Sequence, residues 1–313
     1  MVADPSLVLV PGPWRHRSVA ANGSRFHVVT AGLDDATAAL PDPGAARTPI
    51  VLLHGFPQFW YAWRHQIPAL AAAGHPVIAP DLRGFAGSDK PPGRHDTNVF
   101  VDDVAGIVHA LGLSEALIVG HGFGATVAWS MPALAPEVTR GIVALGAAHP
   151  VVARRPGHLW RLRRAQASTL AFVQLPTLPE RALISGGLVA RVLREWSAPR
   201  NDAATAQADL YTAAMGLPMA AHNIMEHFRW QVRSTRRPSG RAWLAAVDRP
   251  ITVPVTSAVG ALDPLHVPGS QDAEADFCAG PHRRVTVAGA GHFLPEEAPE
   301  AVTRLVLDAA AQV

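Results

Sequence analysis

The chain has 313 residues and a formal net charge of +2, from 27 Lys+Arg against 25 Asp+Glu, with 49% hydrophobic and 17% charged residues. These values exclude intrinsic disorder and give no nucleic-acid footprint. A chain this long buries roughly three quarters of its unfolded surface, so it needs no disulfide or metal staple. Cys278 is the only cysteine and Lys90 the only lysine. No internal disulfide or Cys-based zinc site can therefore form, and Schiff-base chemistry would rest on one residue.

Met1 to Trp14 carries Asp4 and no cation. It lacks the basic start of a secretory signal, and no apolar run reaches about 18 residues. A cytoplasmic protein with no membrane partner is expected. Usage rich in Ala, Arg, Pro and Gly suggests a bacterial genome of high GC content. Arg25 to Thr30, Pro49 to Leu53 and Pro76 to Pro80 read as strands, the second a continuous apolar run suited to a buried central strand. Phe100, Val101, Val104, Ile107, Val108 and Leu111 recur at helical spacing and predict an amphipathic helix over Asn98 to Leu111. Ala116 to Val119 predicts a strand running into a glycine-rich turn, followed by a helix from Phe123 to Leu134. Gly141 to Leu145 is the next strand.

Past Pro150 no strand-like run occurs for about a hundred residues. Helical patterns run through Ile184 to Trp196 and Thr205 to Val232, with an Arg-rich stretch at Arg154 to Arg164 read as the solvated face of a helix. Strand signals return at Ile251 to Ser257 and Arg284 to Val287, before a closing helix over Glu297 to Ala311. Strands alternating with helices imply a doubly wound, mostly parallel α/β sheet. The expected plan is a core over 1–149, a helical cap over 150–247, and the rest of the core over 248–313.

The strongest local signal is Gly120-His121-Gly122-Phe123-Gly124, between a predicted strand and a predicted helix. Such an elbow needs small residues two positions either side of its tip, because the backbones pack closely there. Gly120 and Gly124 meet that demand, but the tip, normally a nucleophile, is Gly122. Three further pieces follow strand ends. His54-Gly55-Phe56-Pro57 can aim a backbone N–H at a developing oxyanion. Asp263, in Gly260-Ala261-Leu262-Asp263, supplies a carboxylate at a strand end. His292, in Gly289-Ala290-Gly291-His292, supplies an imidazole. Elbow, acid and base occur in the order of the α/β-hydrolases. The fifteen histidines show no His-Glu-x-x-His or comparable ligand spacing, so neither a metal nor another cofactor is expected.

His54 to Arg64 resembles the HGFP-x-x-W-x-x-W-R signature of α/β-hydrolase epoxide hydrolases, and Asp81 to Pro91 resembles their D-x-R-G-x-G-x-S-x-x-P loop. The likeness extends over nearly the whole chain, with haloalkane and haloacetate dehalogenases as relatives. It implies an Asp nucleophile that opens an epoxide to an ester, and a His–acid pair, here His292 and Asp263, that activates water. It also implies an oxyanion hole from the Phe56 and Phe123 amides, and two cap tyrosines that bond the epoxide oxygen. The chain departs twice: Gly122 holds the nucleophile position, and Phe172 and Phe228 match the tyrosines. His227 is an alternative donor, and Tyr211 a weaker one.

Three readings stay open from the sequence. An enzyme could work without covalent catalysis, His292 acting on water or on an apolar substrate in an elimination, rearrangement or cyclisation. An ordinary epoxide hydrolase could have had its Asp replaced by glycine. A non-catalytic ligand binder could have kept the fold. The expected ligand is a small apolar molecule bound by Phe56, Trp60, Phe123, Phe172, His227 and Phe228. The expected assembly is a monomer or homodimer.

Overall fold

The apolar runs become the middle of one eight-stranded sheet. The computed structural model describes residues 4–33, 47–93, 95–161 and 164–313. The strands are β1 (Arg15–Ala21), β2 (Ser24–Ala31), β3 (Ile50–Leu53), β4 (Val77–Pro80), β5 (Ala116–His121), β6 (Thr139–Leu145), β7 (Val255–Gly260) and β8 (His282–Val287). Their order is β1-β2-β4-β3-β5-β6-β7-β8. β1, β2 and β4 pair antiparallel, and every later pair is parallel. β3, β4, β5 and β7 are buried at every position, which explains why β3 reads as a continuous rather than an alternating apolar run.

Gln66–Ala72 packs with Pro299–Ala310, and Thr97–Ala110 packs with Phe123–Leu134. The helix expected over 98–111 thus lies within a residue of its predicted bounds. β1 has no counterpart in the sequence reading. It joins β2 through a tight turn in which Asn22 (φ 44°) and Gly23 (φ 69°) are both left-handed, the geometry that an Asn-Gly pair favours. The strand expected from Ile251 begins later, at Val255, and Ile251 makes only an isolated bridge to Cys278.

Between β6 and β7 the chain is helical from Pro150 to Val247, with no strand among the described residues. The expected long helices are broken there. Gly186 (φ 81°) separates Leu178–Ile184 from Gly187–Trp196, and Gly216 with Pro218 separates Ala208–Met215 from Ala220–Arg233. Among the described residues, no helix is long and apolar enough to cross a membrane.

Candidate active site

β5 ends at His121, and the chain turns at Gly122 directly into the helix Phe123–Leu134. Gly122 has φ 53° and ψ −111°, and its N–H donates to the Leu145 carbonyl at 2.8 Å. An L side chain there is strained by about 1–3 kcal/mol. A Cβ on Gly120 would overlap the Gly124 carbonyl, and one on Gly124 would overlap the Leu53 carbonyl. Helix and sheet therefore meet at backbone contact, and only glycine fits on either side of the tip.

β7 and β8 deliver the acid and the base at the same sheet edge. Asp263 Oδ2 lies 2.9 Å from His292 Nδ1, and its other oxygen accepts the Leu265 N–H at 2.8 Å. Both side chains are buried. A Cβ built on Gly122 would stand 3.3 Å from His292 Nε2, so the free imidazole nitrogen faces the elbow tip. The loop holding His292 is fixed from two sides. Its N–H donates to the Trp196 carbonyl at 2.8 Å, and its carbonyl lies 2.8 Å from His121 Nε2. A carbonyl only accepts, so His121 carries its proton on Nε2. Burial, helped by the adjacent His292, lowers the His121 pKa to about 3 and keeps it neutral.

A cavity of about 280 Å³ opens above the tip. The core contributes Phe56, Gly122, Phe123, Asp263 and His292, and the helical segment contributes Arg154, Trp196, His227 and Phe228. The N–H groups of Phe56 and Phe123 make no hydrogen bond among the described residues. Phe123 opens its helix, where the first amides lack intrahelical acceptors. The Trp196 indole N–H is buried with no partner among the described residues, and the ring stands edge-on to His292 with centroids 5.5 Å apart.

Several sequence expectations need correction. Trp60 does not reach the cavity. It is fully buried in the core, donates its indole N–H to the Val8 carbonyl at 2.9 Å, and packs against Trp14 and His16. Phe172 ends its helix under the Arg191 guanidinium, 5.7 Å from the ring centroid, while Leu170 lines the cavity. His227 is the wrong kind of partner for an epoxide oxygen. Its Nδ1 faces the His95 carbonyl at 3.0 Å and must donate, leaving Nε2 an unpartnered acceptor. Burial lowers the His227 pKa to about 3, so the ring stays neutral. Tyr211 is also occupied elsewhere, because its hydroxyl donates to the buried Glu296 at 2.9 Å. The Arg154 to Arg164 stretch is not simply a solvated face, since Arg154 lines the cavity; residues 162–163 lie outside the described residues. His121, Arg154 and Trp196 were missed, and no local pattern marks any of them.

An elbow tip beside a His–acid pair, all at the carboxyl edge of a mostly parallel sheet, is the α/β-hydrolase arrangement. The chain belongs to that family: the family model described as alpha/beta hydrolase fold matches residues 48–299. Within the family it is an epoxide hydrolase-like enzyme. It is 32% identical over 322 residues to epoxide hydrolase A of Mycobacterium tuberculosis, an alignment covering 93% of this chain and 96% of that protein. AB hydrolase superfamily protein YfhM of Bacillus subtilis is 37% identical over 167 residues, covering 53% of this chain and 54% of that one. The crystal structure of epoxide hydrolase A from Mycobacterium thermoresistibile superposes with a TM-score of 0.76 at 25% identity, covering 95% of this chain and 98% of that one.

Proposed function

We propose that the enzyme opens an epoxide by direct attack of water, with His292 as general base and no covalent ester. The observation that carries this reading is the placement of His292 Nε2 opposite a tip that bears no side chain. A water share of liquid volume is about 30 Å³, comparable with the space a missing carboxymethyl group frees. Water bound there donates to Nε2 while one of the Phe56 and Phe123 amides holds its oxygen, leaving a lone pair for the epoxide carbon. As that oxygen bonds the epoxide carbon, its proton passes to His292 and the carbon–oxygen bond of the ring breaks. Asp263 stabilises the imidazolium. No described side chain takes the place of the tyrosines implied by the resemblance, so the opening oxygen is met by the imidazolium itself. That alkoxide then takes the proton back from His292, giving a vicinal diol. Phe228 and the face of His227 form the apolar wall, and residues 150–247 act as the cap.

A second reading uses the same base on a substrate C–H, the two amides holding the enolate that results. The unpartnered amides favour it, because a carbanion adjacent to a carbonyl needs such donors more than water does. Both readings require the dyad. His292→Ala should lower turnover by about 10²–10⁴-fold, the usual span of general-base catalysis. Asp263→Ala should cost less, since it only orients and stabilises the ring. Full activity in both variants, measured by product formation, would remove His292 as the base.

A further inference from the structure

Arg154 follows the short helix Pro150–Ala153 and borders the cavity. Every acceptor it reaches is neutral. Nε donates to Ser234 Oγ at 3.0 Å, Nη1 to the Pro150 carbonyl at 3.1 Å, and Nη2 to Gln231 Oε1 at 2.5 Å and its carbonyl at 3.4 Å. Gln231 is itself fixed, its Nε2 donating to Thr97 Oγ1 at 2.9 Å. The Trp243 ring covers the guanidinium 4.5 Å from Cζ. Of five N–H groups, one on Nη1 finds no acceptor among the described residues.

No carboxylate among the described residues lies within ion-pair distance of Arg154. Its neighbour Arg155 pairs with Asp276 at 3.6 Å, and Asp263 is engaged by His292. Asp248 lines a separate depression on the other side of Arg154 without pairing with it. The facing histidines offer no negative charge either. His149 and His227 are both held near 3 by burial and are neutral. Burial lowers the Arg154 pKa to about 10, which still leaves it charged at neutral pH. Arg154 is half-buried, and a guanidinium so far enclosed by protein is commonly matched by an opposite charge. Among the described residues the protein supplies none, and Arg154 borders the cavity on one side and the depression on the other.

We propose that the natural ligand pairs an apolar body with a terminal carboxylate, and that Arg154 receives the carboxylate. A monoanion matches the single guanidinium, and the phenylalanine rings of Phe56, Phe123 and Phe228 take the hydrocarbon. This deepens the proposed function by naming the substrate class of the same cavity, but it stands on binding alone. Octanoate and octanamide are an unreactive pair of similar shape that differ in charge. Calorimetric titration of the full chain should find octanoate bound about 10- to 100-fold tighter, the range for a hydrogen bond to a charged group, with the preference shrinking in added salt. Arg154→Met should bring the two affinities together, and Arg154→Lys should keep part of the difference. Equal affinities in the parent chain, or an unchanged preference in Arg154→Met, would overturn the proposal. Should Arg154→Met fail to fold, the parent ratio and its salt dependence decide alone. Because neither ligand reacts, failure of the epoxide-opening reading would leave the ratio unaffected.

Discussion

Replacing Gly122 by alanine adds one methyl group at the position where the proposed mechanism needs an oxygen. The structure sets two separate costs. At φ 53° and ψ −111° an L residue is strained by about 1–3 kcal/mol. At roughly 2–4 °C per kcal/mol for a chain near this size, the melting temperature should fall by about 2–12 °C. The new Cβ would also stand 3.3 Å from His292 Nε2 and 3.8 Å from the Gly55 Cα. The first contact is tight, and it occupies the direction in which Nε2 would accept a proton from water at about 2.8 Å. Turnover should therefore drop by about 10²-fold or more, as if the base were lost. The assay is kcat/KM for epoxide opening, measured well below the melting temperature so that strain and blockage are read separately. A Gly122→Ala variant that melts lower yet turns over at the parent rate would refute the placement of the reacting oxygen over Gly122.

Two other substitutions give independent readings. Trp196→Phe removes the buried, unpartnered indole N–H while keeping the main-chain carbonyl that holds His292; with no hydrogen bond to lose, the melting temperature and kcat should both hold, and a fall in either would show that the N–H has a partner. Burial pushes the Glu274 carboxyl from 4.5 up to about 7. The folded chain then keeps a proton that the unfolded chain releases, so this group's stabilisation is complete below about 4.5 and is lost as pH rises to about 7, on the order of 3 kcal/mol. Glu274→Gln should melt with the parent at pH 4 and several degrees above it at pH 8; an equal difference at both would show that Glu274 does not titrate this way.

The elbow was legible because its constraint is local. Gly120 and Gly124 sit where helix and strand backbones touch, and that contact excludes any Cβ wherever the rest of the chain goes. Asp263 and His292 were legible for a related reason, each following a predicted strand on a glycine-bearing loop. The walls of the cavity were not. Trp60 lies four residues beyond Phe56 in one motif, yet it turns to the Val8 side of the sheet edge, and nothing in the spacing fixes that rotation. Phe172 was placed by matching a tyrosine position, but it stands two residues past Leu170, about half a turn of helix away, and Leu170 is the one that lines the cavity. Arg154 looked like the start of a solvated basic face because charge runs usually are. Its place beside the cavity depends on Ser234, Gln231 and Trp243, about 80 residues away. β1 was overlooked although Asn22-Gly23 announces a hairpin. The polar residues Arg15, Arg17 and Ser18 hid a strand that stands at the sheet's edge.

The direct attack of water on the epoxide is tested most closely by one single-turnover experiment in ¹⁸O-water, with enzyme in excess over an aryl epoxide. The account predicts one solvent oxygen in the diol from the first turnover onward, because the oxygen that bonds carbon is the water held against His292. First-turnover diol without label would mean that a protein carboxylate supplied the oxygen through an ester, and would contradict it. A product formed without any solvent oxygen would contradict it as well, and would point to the proton-abstraction route.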